Sequence, residues 1–404
     1  MIVQRLFSQI QGLSAQMWLS FSLYFLILFS YPIIRSTSTT LFYRFNKGED
    51  FSLATFLSMV LLFSVVGLSN LLQQKIQINR LLPILSLVTL IGFCLGLLNL
   101  GRMSAFFIFS IKEVYIVVLL HLVLGHINHS MNQGQVKSLF GPLGALGSLA
   151  GILGGLTTTH LSAKLSSETL FLLGCFVIFL FFVPSFFLEP SEEVFEQRPS
   201  PLEAVKKVKG IVFVIALLIG ISQVFTFLAD LQFNLNFVKE VLVEDKRTAF
   251  LGRVYTWINV VTFLFQLVVI PFLLARFSGL KLFCKLPFLY LIASILLFIF
   301  QGEVAMVWPI FFVMVKSFDY SLFATFKEVI YHPLTLEEKF GTKYIVDMVS
   351  YRGAKAFIAL LAASVMLKEN ALINMTQVFL LSAWVFVTFA FYNIYQRIIS
   401  ERSP

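Results

Sequence analysis

Apolar stretches long enough to cross a lipid bilayer recur along almost the whole of this 404-residue sequence. A spanning helix needs about 20 mainly apolar residues, and twelve stretches approach or reach that length. Hydrophobic residues make up 58% of the chain and charged residues 13%, at a mean hydropathy of +0.89, a composition that a water-soluble globule would not show. The predicted spans are 18–34, 51–72, 81–100, 105–127, 139–159, 168–188, 211–230, 253–277, 287–300, 304–330, 344–367 and 376–395.

The backbone in these spans has to satisfy its own hydrogen bonds, because the bilayer core holds no water. Helices do this within one segment, and the chain lacks the alternating apolar and polar residues of a membrane barrel. We therefore predict an all-α polytopic membrane protein of about twelve helices. The three cysteines lie in or beside apolar runs without CxxC spacing and are interpreted as inert thiols.

One hydrophilic segment, 189–209, divides the spans into six and six. We predict an N-terminal six-helix bundle over 1–188, a cytoplasmic linker over 189–209 and a C-terminal six-helix bundle over 210–404. Such a layout is typical of secondary transporters, whose two halves rock about a site near the bilayer midplane. Cations are more frequent in the linker and the other segments on its side of the membrane, which places both termini in the cytoplasm.

Charged residues concentrate in the stretch 316–355, although most of it otherwise resembles membrane helix. Charges inside a membrane are costly and mark function by default. On a regular α-helix, Lys316, Tyr320, Phe323 and Lys327 would share one stripe, since residues spaced by three, four and eleven positions fall near one line. The same stretch also holds Asp319, Glu328, Asp347, Tyr351, Arg352 and Lys355.

Two further charges lie where predicted spans end. Arg35 closes the first span and is followed by five hydroxyl residues, 36–40. Its guanidinium either extends to the membrane interface or binds a phosphate, with the hydroxyls donating to the remaining oxygens. Asp230 closes the seventh span and is likewise open to an interfacial or a functional role.

The fourth and fifth spans carry two smaller signals. Lys112 and Glu113 are neighbours about 100° apart on a helix, so we expect only one of them to face a site. Gly147, Gly151 and Gly155 are spaced for close helix packing, or for a moving interface between bundles.

No feature of the sequence indicates a cofactor, a metal or an enzyme. Three histidines near residue 126 lack a further ligand for a metal, and the chain contains no GxxxxGK[ST] phosphate loop. No nucleophile and base pair stands out. The basic residues do not alternate with aromatic ones as in nucleic-acid-binding proteins, so we expect lipid and a small anionic solute as partners.

The stretch SLFATFKEVIYHPLTLEEKFGTKYIVDMVSYRGAK resembles the hallmark segment of the bacterial and plastid ATP/ADP translocases, a family of nucleotide transporters. Two shorter regions, around Arg35 and from Glu113 to Gly144, are similar to that family in order and spacing. The resemblance is dense over 317–355. The residues that meet the hallmark pattern are Ser321, Leu322, Phe323, Lys327, Glu328, Tyr331, Pro333, Leu334, Glu338, Lys343, Asp347, Arg352 and Lys355.

This resemblance implies a major-facilitator-like fold, a bacterial inner membrane and nucleotide transport by exchange. It implies that Arg35, Lys316, Lys327, Arg352 and Lys355 hold phosphates. Tyr320 or Tyr351 would stack on the base. The acids Glu113, Asp230, Asp319, Glu328 and Asp347 would gate the site or couple transport to a second ion.

Departures from that family limit the expected charge of the solute. Ser38 stands where the translocases carry a lysine, and a glycine-rich run after the hallmark segment is absent. The cations assigned to the site exceed the acids by too little to neutralise a triphosphate. These departures leave room for a less charged nucleotide or another organic phosphate. The alternatives are a proton-coupled transporter of a different small solute with the same fold, and a non-transporting membrane scaffold or membrane-embedded enzyme.

Overall fold

The computed structural model describes residues 13–73, 75–131, 133–189, 203, 205–206, 208–300, 307–331, 334–365 and 369–402. Within these residues the chain forms twelve helices and no strand, which confirms the predicted all-α class. Three of the helices contain a π-helical segment, given second in the triplets below. The helices are α1 (Ala15–Phe45), α2 (Asp50–Gln73), α3 (Ile78–Leu98), α4 (Arg102–Ser130), α5 (Gln133–Leu161), α6 (Ser167–Ser185), α7 (Lys209–Glu240), α8 (Glu244–Leu264, Phe265–Val269, Ile270–Arg276), α9 (Gly279–Phe300), α10 (Val307–Phe318, Asp319–Phe323, Ala324–Ile330), α11 (Leu336–Lys343, Tyr344–Ser350, Tyr351–Ser364) and α12 (Asn370–Arg402).

Ten of these helices, all except α5 and α11, are long and apolar enough to cross a membrane. The protein is thus a multi-pass membrane protein. Several predictions fall outside the described residues: most of the linker 189–209, the span ends 304–306 and 366–367, and Pro333. The division into bundles at 188 and 210 stays a prediction.

Two helices continue well past the predicted span ends. α1 runs to Phe45, so Arg35 lies inside the helix, and α7 runs to Glu240, so Asp230 does not close it. The predicted spans were ended at polar residues, but the hydrogen bonds of these residues are satisfied inside the bundle. Thr37 Oγ1 donates to the Ile33 carbonyl at 2.7 Å, and Thr40 Oγ1 donates to the Ser36 carbonyl at 3.0 Å.

The described chain divides into two compact units. The first holds α1, most of α2, α3 to α6, and α8 up to Leu267. The second holds the start of α2, α7, the end of α8, and α9 to α12. Although α8 follows the predicted linker, it packs with α5 and α1 in the first unit.

The core of the first unit is built on α1. Phe42 is fully buried and its ring lies 4.7 Å from Phe109 and 5.1 Å from Phe106 on α4. Beside it, α5 and α8 approach so closely that a Cβ added at Gly151 would overlap the side chain of Asn259, and one at Gly155 would overlap Thr256. The predicted packing role of these glycines is thereby observed.

The core of the second unit is aromatic. Phe233 of α7 stacks on Phe312 of α10 with ring centroids 4.1 Å apart, and Tyr290 of α9 stacks on Trp384 of α12 at 5.6 Å. These contacts bring α7, α9, α10 and α12 together. Buried aromatic pairs of this kind stabilise by about 0.5–1.5 kcal/mol beyond their buried area.

Candidate functional site

A buried ion pair lies in the second unit. Nζ of Lys316 on α10 is 2.8 Å from both carboxylate oxygens of Asp230 on α7. The two residues are only 4% and 3% exposed. Nζ of Lys355 on α11 lies 3.8 Å from the same carboxylate. Three helices thus bring one carboxylate close to two ammonium groups. Charges inside a membrane bundle are tolerated when they are paired in this way.

Asp319 lies beside this pair, at the start of the π-helical segment of α10. It is 6% exposed and forms no hydrogen bond or ion pair with any residue in the described ranges. Lys316, Lys327 and Lys355 are close enough to act on it electrostatically, as is Asp230. Asp319 therefore lies in the electrostatic field of three lysines, and each of these lysines is paired with another carboxylate.

A second ion pair continues the cluster along α10 and α11. Nζ of Lys327 is 2.8 Å from Oδ1 of Asp347, and the hydroxyl of Tyr331 donates to the same oxygen at 3.4 Å. Nζ of Lys327 also lies 5.8 Å from the centre of the Tyr351 ring. Asp347 and Tyr351 lie in and directly after the π-helical segment of α11, where the wider turn changes the direction of successive side chains.

A third pair is more exposed. Nζ of Lys343 is 2.6 Å from Oε2 of Glu328, and both side chains are more than a third exposed. This pair is therefore more open to water than the two pairs described above, with which the sequence grouped it.

Arg352 differs from the other cations of the second unit. It is partly buried and forms no hydrogen bond or ion pair within the part of the chain that the structure describes. Its charge acts on Tyr351 and Asp347 only through space. The five N–H donors of its planar guanidinium are therefore available to an oxyanion.

The predicted stripe of Lys316, Tyr320, Phe323 and Lys327 is wrong in its geometry. The π-helical segment Asp319–Phe323 interrupts the α-helical register on which the stripe was based. Phe323 is buried against Trp384, with ring centroids 6.1 Å apart, whereas Tyr320 is 37% exposed. Lys316 and Lys327 consequently pair with different helices.

Two predicted residues lie in the first unit. The guanidinium of Arg35 is 4.6 Å from the ring centre of Tyr255 on α8 and 5.4 Å from that of Tyr31. Such cation–π contacts stabilise a guanidinium within a membrane helix. The hydroxyls at 36–40 are buried, and those of Thr37, Ser38 and Thr40 already donate to backbone carbonyls of α1.

Glu113, also in the first unit, is bonded to its neighbour. Nζ of Lys112 donates to Oε1 of Glu113 at 3.0 Å and lies over the ring of Phe109. Lys112 is 2% exposed, so it takes the packing role that we expected of one of the two. Long side chains allow the pair to meet despite their separation of about 100° on the helix.

Sequence reasoning missed a buried amide network between α7 and α12. Gln232 Nε2 donates to Asn374 Oδ1 at 2.6 Å, and Asn236 and Asn370 exchange hydrogen bonds at 3.0 and 3.1 Å. The signal was available: amide residues four apart on each of two apolar helices predict such a contact. The network explains why α7 continues beyond Asp230.

A cluster at one end of the first unit was missed as well. Arg44, the last cation of α1, forks onto Glu244 at the start of α8, with Nε to Oε2 at 2.8 Å, and also binds Glu168 at the start of α6. The acids lie at helix N-termini and the arginine at a C-terminus, where the helix dipoles favour these charges. We call Arg44, Glu168 and Glu244 the arginine clamp.

An open apolar recess of about 360 Å³ also lies in the second unit. It is lined by α7, α11 and α12, and includes Ala216, Gly220 and Ala354. The charged residues are absent from its described lining. The recess therefore lacks the chemistry for a charged solute, and the ionic cluster is the better candidate site.

The twelve helices and their internal ion pairs define a polytopic membrane protein with charged groups inside a helical bundle. Among the described residues, no group of three or more His, Cys, Asp or Glu is placed to hold a metal ion. The sequence matches no protein-family model and no curated protein sequence. Solved structures, in contrast, resemble it over nearly its whole length.

The structure of a mutant form of the nucleoside transporter NupG matches with a TM-score of 0.71 at 14% identity, covering 94% of this chain and 99% of that one. The POT family transporter PepTSo matches with a TM-score of 0.67 at 11% identity, covering 97% and 99%. An auto-inhibited POT family peptide transporter matches at 0.67, with 12% identity and coverage of 95% and 97%. These neighbours are membrane transporters rather than enzymes. The likeness establishes the fold: this chain has the architecture of the major facilitator transporters.

Proposed function

We propose that the protein is a secondary transporter of a singly phosphorylated metabolite, with a nucleoside monophosphate as the preferred class of solute. The observation that carries this proposal is the ion pairing in the second unit. Its grouped cations are Lys316, Lys327, Lys343, Arg352 and Lys355, and its grouped carboxylates are Asp230, Asp319, Glu328 and Asp347. The surplus is one positive charge, which suits one phosphate group and is far too small for three.

Arg352 and Lys355 are the cations we assign to the phosphate. Arg352 has no ion-pair partner within the described ranges, and Lys355 lies 3.8 Å from a carboxylate that Lys316 already holds more closely. A guanidinium binds phosphate oxygens in a bidentate manner. Lys316 and Lys327 would instead keep Asp230 and Asp347 in place while the solute enters.

The base of the solute would stack on Tyr351, which lies near both Lys327 and Arg352. Tyr320 is a weaker candidate because it is 37% exposed. Arg35 remains a candidate anion contact in the first unit, and Glu113 a candidate gating residue there. Glu328 and Asp347 would gate through their pairs with Lys343 and Lys327.

Two comparisons support a nucleotide-like solute. The segment 317–355 resembles the hallmark of the ATP/ADP translocases, and one structural neighbour is a nucleoside transporter. We also propose a bacterial inner membrane as the location, with both termini in the cytoplasm, from the resemblance and the distribution of cations.

The test is uptake into proteoliposomes of radiolabelled adenosine, AMP, ADP and ATP, each with and without unlabelled AMP or ADP inside. We expect AMP to be taken up fastest and ATP slowest. The control is Lys281→Gln, which removes an exposed charge outside the cluster and should leave this order unchanged. Uptake of ATP that requires internal ADP would instead identify a translocase, and uptake of adenosine alone would identify a transporter of an uncharged solute.

A further inference from the structure

The four carboxylates of the second-unit cluster differ in the ion pairs that their protonation would break, and Asp319 stands apart from the other three. A proton on Asp230 would break the pair with Lys316, and a proton on Asp347 would break the pair with Lys327. A proton on Glu328 would break the pair with Lys343. A proton on Asp319 would break no hydrogen bond or ion pair among the described residues.

The position of Asp319 fits a group that changes its charge during transport. It is only 6% exposed, at a depth where an ionised group without a partner is costly. It also begins a π-helical segment, and such segments occur often at functional sites. The titratable and charged groups that surround it are Lys316 and Lys327 on α10, Asp230 on α7, Lys355 and Tyr351 on α11, and Tyr290 on α9.

We propose that Asp319 carries the proton that is transported together with the phosphorylated solute. A proton from the water on the side of entry binds a carboxylate oxygen of Asp319 and leaves on the other side, and no other bond is made or broken. This proposal rests on the proposed function, because it requires an anionic solute at the same cluster.

The charge balance explains why the proton and the solute would move together. With Asp319 ionised, the cluster has a surplus of one positive charge, and with Asp319 protonated it has a surplus of two. A phosphate monoester carries a charge of about −1.5 to −2 at neutral pH. Protonation of Asp319 thus brings the positive charge of the cluster closer to the negative charge of the solute. Conversely, binding of the solute favours protonation, as linkage requires.

The experiment compares the unsubstituted protein with Asp319→Asn, whose amide imitates the protonated side chain. Uptake of labelled AMP is measured with the outside pH fixed and the inside more alkaline by about one unit, at a membrane potential clamped to zero. For one coupled proton, this gradient raises AMP accumulation about tenfold. Exchange of labelled for unlabelled AMP without a gradient is measured in parallel.

We expect Asp319→Asn to lose the tenfold accumulation and to retain exchange. Glu369→Gln, which neutralises an exposed carboxylate outside the cluster, should retain the accumulation. Asp319→Glu keeps an ionisable group and should retain accumulation with a shifted pH profile, so it tests the proposal even if the asparagine variant fails to fold. Gradient-driven accumulation by a folded Asp319→Asn, or its absence in a folded Asp319→Glu, would overturn the assignment.

The two proposals fail in different ways. If the unsubstituted protein exchanges AMP but a proton gradient has no effect, the proposed function stands and the role of Asp319 is wrong. If the unsubstituted and folded protein transports no phosphorylated solute, the proposed function is wrong and the role of Asp319 in it falls as well.

Discussion

The Lys316–Asp230 pair and the arginine clamp both join helices through opposite charges, but they differ in how much water reaches them. The buried pair is 4% and 3% exposed, whereas the side chains of the clamp are each about 30% exposed. Water and salt weaken the clamp and leave the buried pair nearly unscreened. Removing one partner from the buried pair should consequently have the larger effect.

The two units also differ in how completely their buried charged groups are paired. In the first unit, Lys112 pairs with Glu113, and the guanidinium of Arg247 donates to the carbonyls of Val241 and Tyr43. In the second unit, Asp319 and Arg352 are buried or partly buried without such partners among the described residues. Unpaired polar groups cost stability and persist where function needs them. This contrast is the reason why we place the solute at the second-unit cluster.

The largest effect is expected from Lys316→Ala. This change leaves the Asp230 carboxylate buried, with its nearest remaining cation, Lys355, 3.8 Å away. Breaking a buried ion pair from one side destabilises by about 3–5 kcal/mol. The measurement is thermal unfolding of the purified protein in detergent.

The matched variant Lys316→Met with Asp230→Leu removes both charges and should recover most of the melting temperature without restoring transport. A single Lys316→Ala variant as stable as the unsubstituted protein would show that the pair does not support the fold. Lys316 would then be free to bind the solute directly.

The next effect is expected from Arg352→Gln, which should weaken the apparent affinity for AMP and leave the melting temperature nearly unchanged. Hydrogen bonds to charged groups contribute about 1.5–3 kcal/mol, which corresponds to roughly a tenfold or larger increase in KM. AMP uptake kinetics and detergent unfolding check the two halves of this prediction. A drop in stability with an unchanged KM would move Arg352 from the site to the structural framework.

The fold could be predicted because its signal is distributed over hundreds of residues. Twelve apolar stretches need only composition to be recognised, and local errors at their ends do not change the number. The ends themselves were predicted less well. Apolar composition stops near Arg35 and near Asp230, but both helices continue, because the polar residues that follow bond within the bundle.

The site could be predicted only as a set of residues. The sequence identified Lys316, Asp319, Lys327, Asp347 and Lys355 as a group because charges are rare in this chain. It could not give the pairing, because the π-helical segments in α10 and α11 change the register on which spacing arguments depend. Asp230 and Lys316 are 86 residues apart, so their contact is a product of tertiary packing.

A smaller effect is expected where the first unit is packed by glycines. Gly155→Leu places a side chain against Thr256 and the carbonyl of Gly252 on α8. Overpacking of this kind costs about 1–3 kcal/mol, seen as a lower melting temperature. The matched control is Gly125→Leu on α4, where an added Cβ meets nothing within 4 Å. Equal stability of the two variants would show that the close approach of α5 and α8 is not required.

The smallest effect is expected from Glu244→Gln in the arginine clamp. The clamp is partly exposed, and exposed ion pairs contribute about 0–1 kcal/mol; Arg44 would in addition keep its contact with Glu168. The change in melting temperature should therefore be small, and it should vanish at high salt because the charges are screened. Lys316→Ala measured at the same salt concentrations provides the comparison, since its buried partner is screened much less. A large and salt-independent loss in Glu244→Gln would mean that the clamp is as dry as the Lys316–Asp230 pair, and the contrast between the two would not hold.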